Sequence, residues 1–273
     1  MMSWFHDLNP VWQALVASLG MWGTTSLGAA LVVFTKKSTQ KLLDACLGMA
    51  SGIMIAASFW SMLAPAVEVS ARMYGPAWKW MPPVLGFLLG AVVLRLIDRL
   101  LPHLHPDLFA AEGPKTSWHR STLLVLAITL HNFPEGLAVG IAFGSAANLL
   151  GAERAAQVGS AIALAIGMAL QDFPEGTAVA LPLRREGFSR RRAFCYGMLS
   201  GIVEPLAAIA GAWMVVAFTS LLPYGQGFAA GAMIFIVVEE LIPEAQRHGH
   251  VDLATMGAIL GFALMMALDV GLG

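Results

Sequence analysis

Residues 121–147 read STLLVLAITLHNFPEGLAVGIAFGSAA. An apolar run is broken at its middle by His131, Asn132 and Glu135, set around Pro134. Residues 156–183 read AQVGSAIALAIGMALQDFPEGTAVALPL and repeat the pattern with Gln171, Asp172, Glu175 and Pro174. About 20 mostly apolar residues suffice for a helix to cross a bilayer, whereas barrel strands need only about 9–11 with a period of two. Both stretches are too long and too weakly alternating for strands. They read as membrane helices carrying polar residues at depth.

The rest of the chain agrees. It has 273 residues, of which 58% are hydrophobic and 12% charged, with a mean hydropathy of +0.71. Soluble domains are about 25% charged, so an all-α, polytopic membrane protein is expected. Eight apolar stretches are predicted to span: 11–34, 42–66, 81–101, 121–147, 156–183, 193–219, 226–246 and 252–272. Together they form a single transmembrane domain over residues 1–273. The only long loop runs from about 102 to 119. Cytoplasmic loops are enriched in Lys and Arg. Thirteen of the 16 basic residues, among them Lys36, Lys37, Lys115 and the Arg190–Arg192 run, fall on one side of this scheme. That places both termini outside the cytoplasm, in the inner membrane of a cell. The start lacks the basic segment of a secretory signal, so the first span is expected to be retained. A net charge of −1 gives no basic surface for nucleic acid. Cys46 and Cys195 lie in predicted spans without metal-type spacing and read as small buried hydrophobes. Gly48/Gly52 and Gly197/Gly201 mark candidate close helix contacts.

On a helix, His131 and Glu135 are four apart and Asn132 and Glu135 three apart, so all three share a face. Gln171, Asp172 and Glu175 repeat that face on the next span, and Glu204 lies in the sixth. An ionised carboxylate at bilayer depth costs about 2.5–3.5 kcal/mol on insertion scales. No Lys or Arg lies mid-span to offset it, so these carboxylates must share protons or hold a cation. Nitrogen and oxygen donors in this mixture suit a divalent transition metal. Pro134 and Pro174 lack the N–H that would bond the carbonyls of Leu130 and Leu170, which is tolerated at depth where backbone lines protein or a wet cavity. Interhelical hydrogen bonding, a metal-free proton relay, and a membrane metalloenzyme or sensor stay open as alternatives. No H-E-x-x-H motif, nucleophile–base pair or P-loop accompanies the cluster.

The paired HNFPEG and QDFPEG motifs, on the fourth and fifth of eight predicted spans, resemble the signature of the ZIP divalent-metal transporters. The likeness covers the whole chain. It implies a mid-membrane two-metal site reached by alternating access, with spans one, four, five and six moving against two, three, seven and eight, which often dimerise. By residue, His131, Glu135, Gln171 and Glu175 resemble the primary ligands. Asn132, Asp172 and Glu204 resemble those of a second site, with Glu135 and Glu175 shared. Met54 matches a thioether position of bacterial members. Many eukaryotic members carry His where this chain has Gln171 and Asn132. The resemblance favours zinc as cargo, with cadmium, iron and manganese also fitting the donors. A cytoplasmic exit set is expected at Asp98, His103, His105, Glu239 and Glu240, with Glu244, His248 and His250 nearby.

Overall fold

The computed structural model describes residues 3–34, 40–100, 103–104, 111–112, 120–185 and 187–272. Eight long helices account for nearly all of them. They are α1 (Pro10–Phe34), α2 (Gln40–Tyr74), α3 (Met81–Leu100), α4 (Arg120–Gly144), α5 (Gly151–Arg185), α6 (Arg190–Ala217), α7 (Thr219–Gln246) and α8 (Val251–Leu272). All but α4 form a set of seven that is long and apolar enough to cross a membrane. A two-residue strand pair, β1 (His103–Leu104) with β2 (Ala111–Glu112), lies between α3 and α4. Lys36, Lys37, His105, Lys115 and most of the predicted 102–119 loop fall outside the described residues.

The helices persist through residues that usually break them. α4 runs through Pro134, and α5 runs through Pro174 and Pro182. Three interruptions do occur among the described residues, each inside a long helix. α2 widens to a π turn over Ser58–Leu63 and α7 over Val237–Leu241. α6 breaks at Gly201–Ile202 and restarts at Val203. π turns insert one residue per turn and rotate everything beyond them onto a new face.

Glycines decide which helices meet. A methyl built on Gly52 would lie 1.9 Å from the Ala258 carbonyl oxygen, and one on Gly261 would lie 2.1 Å from that of Met49, so α2 and α8 touch backbone to backbone. Gly90 against Phe228 and Gly231 against Phe87 do the same for α3 and α7. Gly140 against Ala208 joins α4 to α6, and Gly28 against Phe173 joins α1 to α5. These four pairs hold the most extensive helix contacts. The registers of the α2–α8, α3–α7 and α4–α6 seams advance together, so those pairs are parallel. Small residues permit this approach where lipid supplies no hydrophobic drive between helices.

Gly48 and Gly52 sit in such a seam, as their spacing suggests. Outward faces stay apolar, with Leu88, Leu89, Val92 and Leu96 on α3 and Ile259, Leu260 and Val270 on α8 exposed. Trp12, Trp78, Trp80 and Trp213 are also exposed, as expected of an interfacial aromatic belt.

Candidate metal centre

The two repeated motifs converge. Glu135 on α4 and Asp172 and Glu175 on α5 each present a carboxylate oxygen, all within 4.8 Å of one another. Asn132, Glu135, Gln171, Asp172 and Glu204 are fully buried, Glu175 is 5% exposed and His131 9%. Helix periodicity explains the internal order of each face. Glu204 joins them because α4 and α6 pack closely: Gly136 lets the Glu204 carbonyl oxygen come within 2.3 Å of where its methyl would be. Gly176 plays the same part against Thr25 of α1.

Hydrogen bonds sort the cluster into two halves. Gln171 Nε2 donates to Glu135 Oε1 at 2.5 Å. Asn132 Nδ2 donates to Glu204 Oε1 at 2.9 Å, and Thr25 Oγ1 reaches the same oxygen at 3.4 Å. Glu204 stands in the first turn after the break in α6. The free N–H groups and positive dipole end of that half-helix favour an anionic side chain there.

The opposite oxygens are left bare. Asn132 Oδ1, Glu135 Oε2, Gln171 Oε1, both Asp172 oxygens, Glu175 Oε2 and Glu204 Oε2 are buried with no hydrogen-bond partner. Buried acceptors are nearly always paired, and an orphan costs about 1–3 kcal/mol or more when charged. Seven such oxygens gathered in one cluster are a lining that either a cation or protons shared between the carboxyls would satisfy. Hard oxygens with one imidazole suit zinc and its neighbours among divalent metals.

Glu240 joins this group. The structure sets its Oε1 2.6 Å from His131 Nε2, whereas the sequence reading groups it with the exit set. The π turn at Val237–Leu241 separates it from Glu244, which pairs instead with Arg247 at 3.4 Å. Glu239 and Asp98 share Arg95, at 3.4 and 2.8 Å. His103 lies in β1 opposite Glu112, and His105 is outside the described residues. Met54 is fully buried on α2, whose π turn begins four residues on. Thr25 and Arg95 were not legible as partners, since neither carries a motif. A further polar contact, Ser61 Oγ donating to Asp269 Oδ1 at 2.8 Å, lies on the α2 π turn.

A multi-helix membrane protein with a buried, donor-poor carboxylate cluster on broken and proline-bearing helices belongs to the class of integral membrane metal-ion transporters. The family model described as ZIP Zinc transporter matches residues 112–269. The chain is 40% identical to the Zinc transporter ZIP11 of Homo sapiens, over 97% of this chain and 98% of that protein. It is 38% identical to the Zinc transporter GufA of Myxococcus xanthus, over 95% and 98%. It is also 38% identical to the Zinc transporter ZIPB of Bordetella bronchiseptica, over 96% and 82%. The chain belongs to the ZIP zinc transporter family. That is a family of transporters, so the metalloenzyme alternative falls away.

Proposed function

We propose that this protein carries zinc into the cytoplasm through a two-metal site at mid-membrane, and that cadmium, iron and manganese fit the same donors. The seven orphaned acceptor oxygens carry this reading. His131, Glu135, Gln171 and Glu175 form the primary site, with Met54 as a thioether donor. Asn132, Asp172 and Glu204 form the second, with Glu135 and Glu175 bridging.

The ion exchanges its water shell for these oxygens, and its charge offsets carboxylates that would otherwise repel. Gln171 and Asn132 offer carbonyl oxygens that take no hydrogen bond, their amide nitrogens being held by Glu135 and Glu204. His131 Nε2 holds either the metal or Glu240, since one nitrogen cannot serve both. Binding therefore releases a link between α4 and α7.

That link joins two bodies. Glycine seams tie α4 to α6 and α1 to α5 on one side, and α2 to α8 and α3 to α7 on the other. Contacts between the bodies are looser. Gly167 of α5 meets the Met265 thioether of α8, and Gly225 of α7 meets the Met214 methyl of α6. Side chains of this kind repack more easily than backbone, so the first body slides against the second and carries the site across. Parallel registers within the α2–α8, α3–α7 and α4–α6 pairs support eight alternating spans, with α4 as the eighth and both termini outside. The inner membrane, a homodimer formed through α2, α3, α7 and α8, and an exit through Asp98, His103, His105 and Glu239 complete the proposal.

The test is reconstitution into sealed vesicles with a zinc-sensitive dye inside. Saturable zinc flux is expected. Tight zinc binding without flux would sink the reading.

A further inference from the structure

Arginines stand at positions 184, 185, 190, 191 and 192, where α5 ends and α6 begins, and Glu186 is the one acidic residue between them. Arg190, Arg191 and Arg192 are exposed in the first turn of α6, which holds no acidic residue. Among the described residues none of the three has an ion-pair partner. A helix start favours anions and disfavours cations, so this cluster is left uncompensated from both sides. The turn that carries it is fixed. Gly187, with φ of +90°, lets the Phe188 N–H donate to the Leu183 carbonyl at 3.1 Å. The Arg184 guanidinium donates to the Phe188 carbonyl, and Ser189 Oγ caps α6 by accepting from the Arg192 N–H at 3.3 Å.

The surface beside the arginines is apolar. Arg192, Tyr196 and Leu199 stand four and seven positions apart on one helix face. Tyr196 and Leu199 are 43% and 44% exposed, and the Tyr196 ring rests edge-on against Phe188 at 5.9 Å. α6 has 28 residues. At 1.5 Å per residue it is about 42 Å long, the thickness of a bilayer with its headgroups. Its arginine end therefore stands at headgroup level, with Tyr196 and Leu199 descending into the chains.

We propose that the α5–α6 turn binds an anionic phospholipid, its phosphate at Arg190, Arg191 and Arg192 and its chains along Tyr196 and Leu199. The planar fork of arginine matches phosphate oxygens, and basic clusters at the ends of membrane helices attract anionic lipid. A soluble phosphate would meet the arginines and leave the apolar strip unused, so lipid is the occupant that the whole surface fits. The turn belongs to the body that carries Asp172, Glu175 and Glu204, so the lipid is held by the body that slides. That consequence rests on the two-body reading above, whereas the binding itself does not.

The full-length protein would be placed in nanodiscs of phosphatidylcholine alone, or of equal parts phosphatidylcholine and phosphatidylglycerol. Thermal unfolding would be followed in each, and the lipid kept through detergent extraction weighed by native mass spectrometry. The wild type should unfold at a higher temperature with phosphatidylglycerol present and should retain that lipid selectively. Arg190→Gln, Arg191→Gln and Arg192→Gln together should abolish both effects. In phosphatidylcholine alone this variant should unfold no earlier than the wild type, because cations have left a helix start. Lys41→Gln, Arg99→Gln and Arg247→Gln remove the same charge elsewhere on that end and should preserve both effects. Equal retention of the two lipids by the wild type would overturn the proposal, and so would undiminished retention by the arginine variant. An equal loss in the two triple variants would overturn it too, reducing the cluster to general surface charge. Equal stabilisation of the wild type by inorganic phosphate in phosphatidylcholine would assign the arginines to a soluble anion instead. No outcome reads zinc flux, so failure of the transport reading leaves these results unchanged.

Discussion

Glu135 and Glu175 face each other and Asp172 across the α4–α5 contact, each with one oxygen unsatisfied. Replacing either with Gln keeps the shape and removes a charge from both proposed ions. Zinc uptake should fall more than tenfold in each variant at matched membrane expression. Thermal stability of the metal-free protein should hold or rise, because an uncompensated buried charge is gone. Wild-type uptake in either variant would move the centre elsewhere. Proton competition has a definite sign at this site. Ligands bind metal in deprotonated form, so binding releases protons and acid opposes it. Zinc uptake should therefore decline as the external pH is lowered, and a profile flat from pH 8 to pH 5 would count against His131 and the carboxylates as ligands. The motifs themselves were legible in the sequence, because spacings of three and four place residues on one helix face. Glu240 was not, since its hydrogen bond to His131 crosses 109 positions.

Among the helices, close packing predicts opposite responses to the same substitution. Gly52→Ala would place a methyl 1.9 Å from the Ala258 carbonyl, with backbone on the other side of the contact that cannot step aside. Overpacking of this kind costs about 1–3 kcal/mol. Gly20 of α1 has no atom within 4 Å of its built methyl. Gly20→Ala should stabilise by about 0.5–1 kcal/mol, the usual gain within a helix. Thermal unfolding in detergent would compare the two, and an equal loss in both would show that the seam is not a tight one. Helix positions were readable from hydropathy to within about five residues, except that α2 extends to Tyr74, eight residues past the predicted end, and α7 begins at Thr219, seven residues before the predicted start. The π turns in α2 and α7 were invisible, since nothing in the local sequence marks where one extra residue is accommodated.

At the scale of the whole molecule, motion is the claim most open to test. In a variant lacking Cys46 and Cys195, a cysteine pair at Ser61 and Asp269, whose side chains already touch, bridges helices of one body, and a pair at Gly167 and Met265 bridges the two bodies. Oxidative crosslinking of the second pair should arrest zinc flux, reversibly on reduction. The first should leave flux within about twofold of the uncrosslinked protein. Flux that survives the Gly167–Met265 crosslink would rule out sliding of these two bodies. What the sequence determined by itself is the class of protein and the polar residues set inside its apolar runs. Lipid offers no hydrogen bonds, so each crossing segment must satisfy its own backbone, and that demand is written as a local apolar run. Polar residues placed inside such a run stand out for the same reason. Only the tertiary structure decided which partners meet across helices: Thr25 with Glu204, Glu240 with His131, Asp98 and Glu239 with Arg95, and Asp44 with the two histidines more than 200 residues away. Those contacts depend on the rotational phase of each helix about its axis, and that phase is set by glycine seams and π turns acting between segments rather than by periodicity within one.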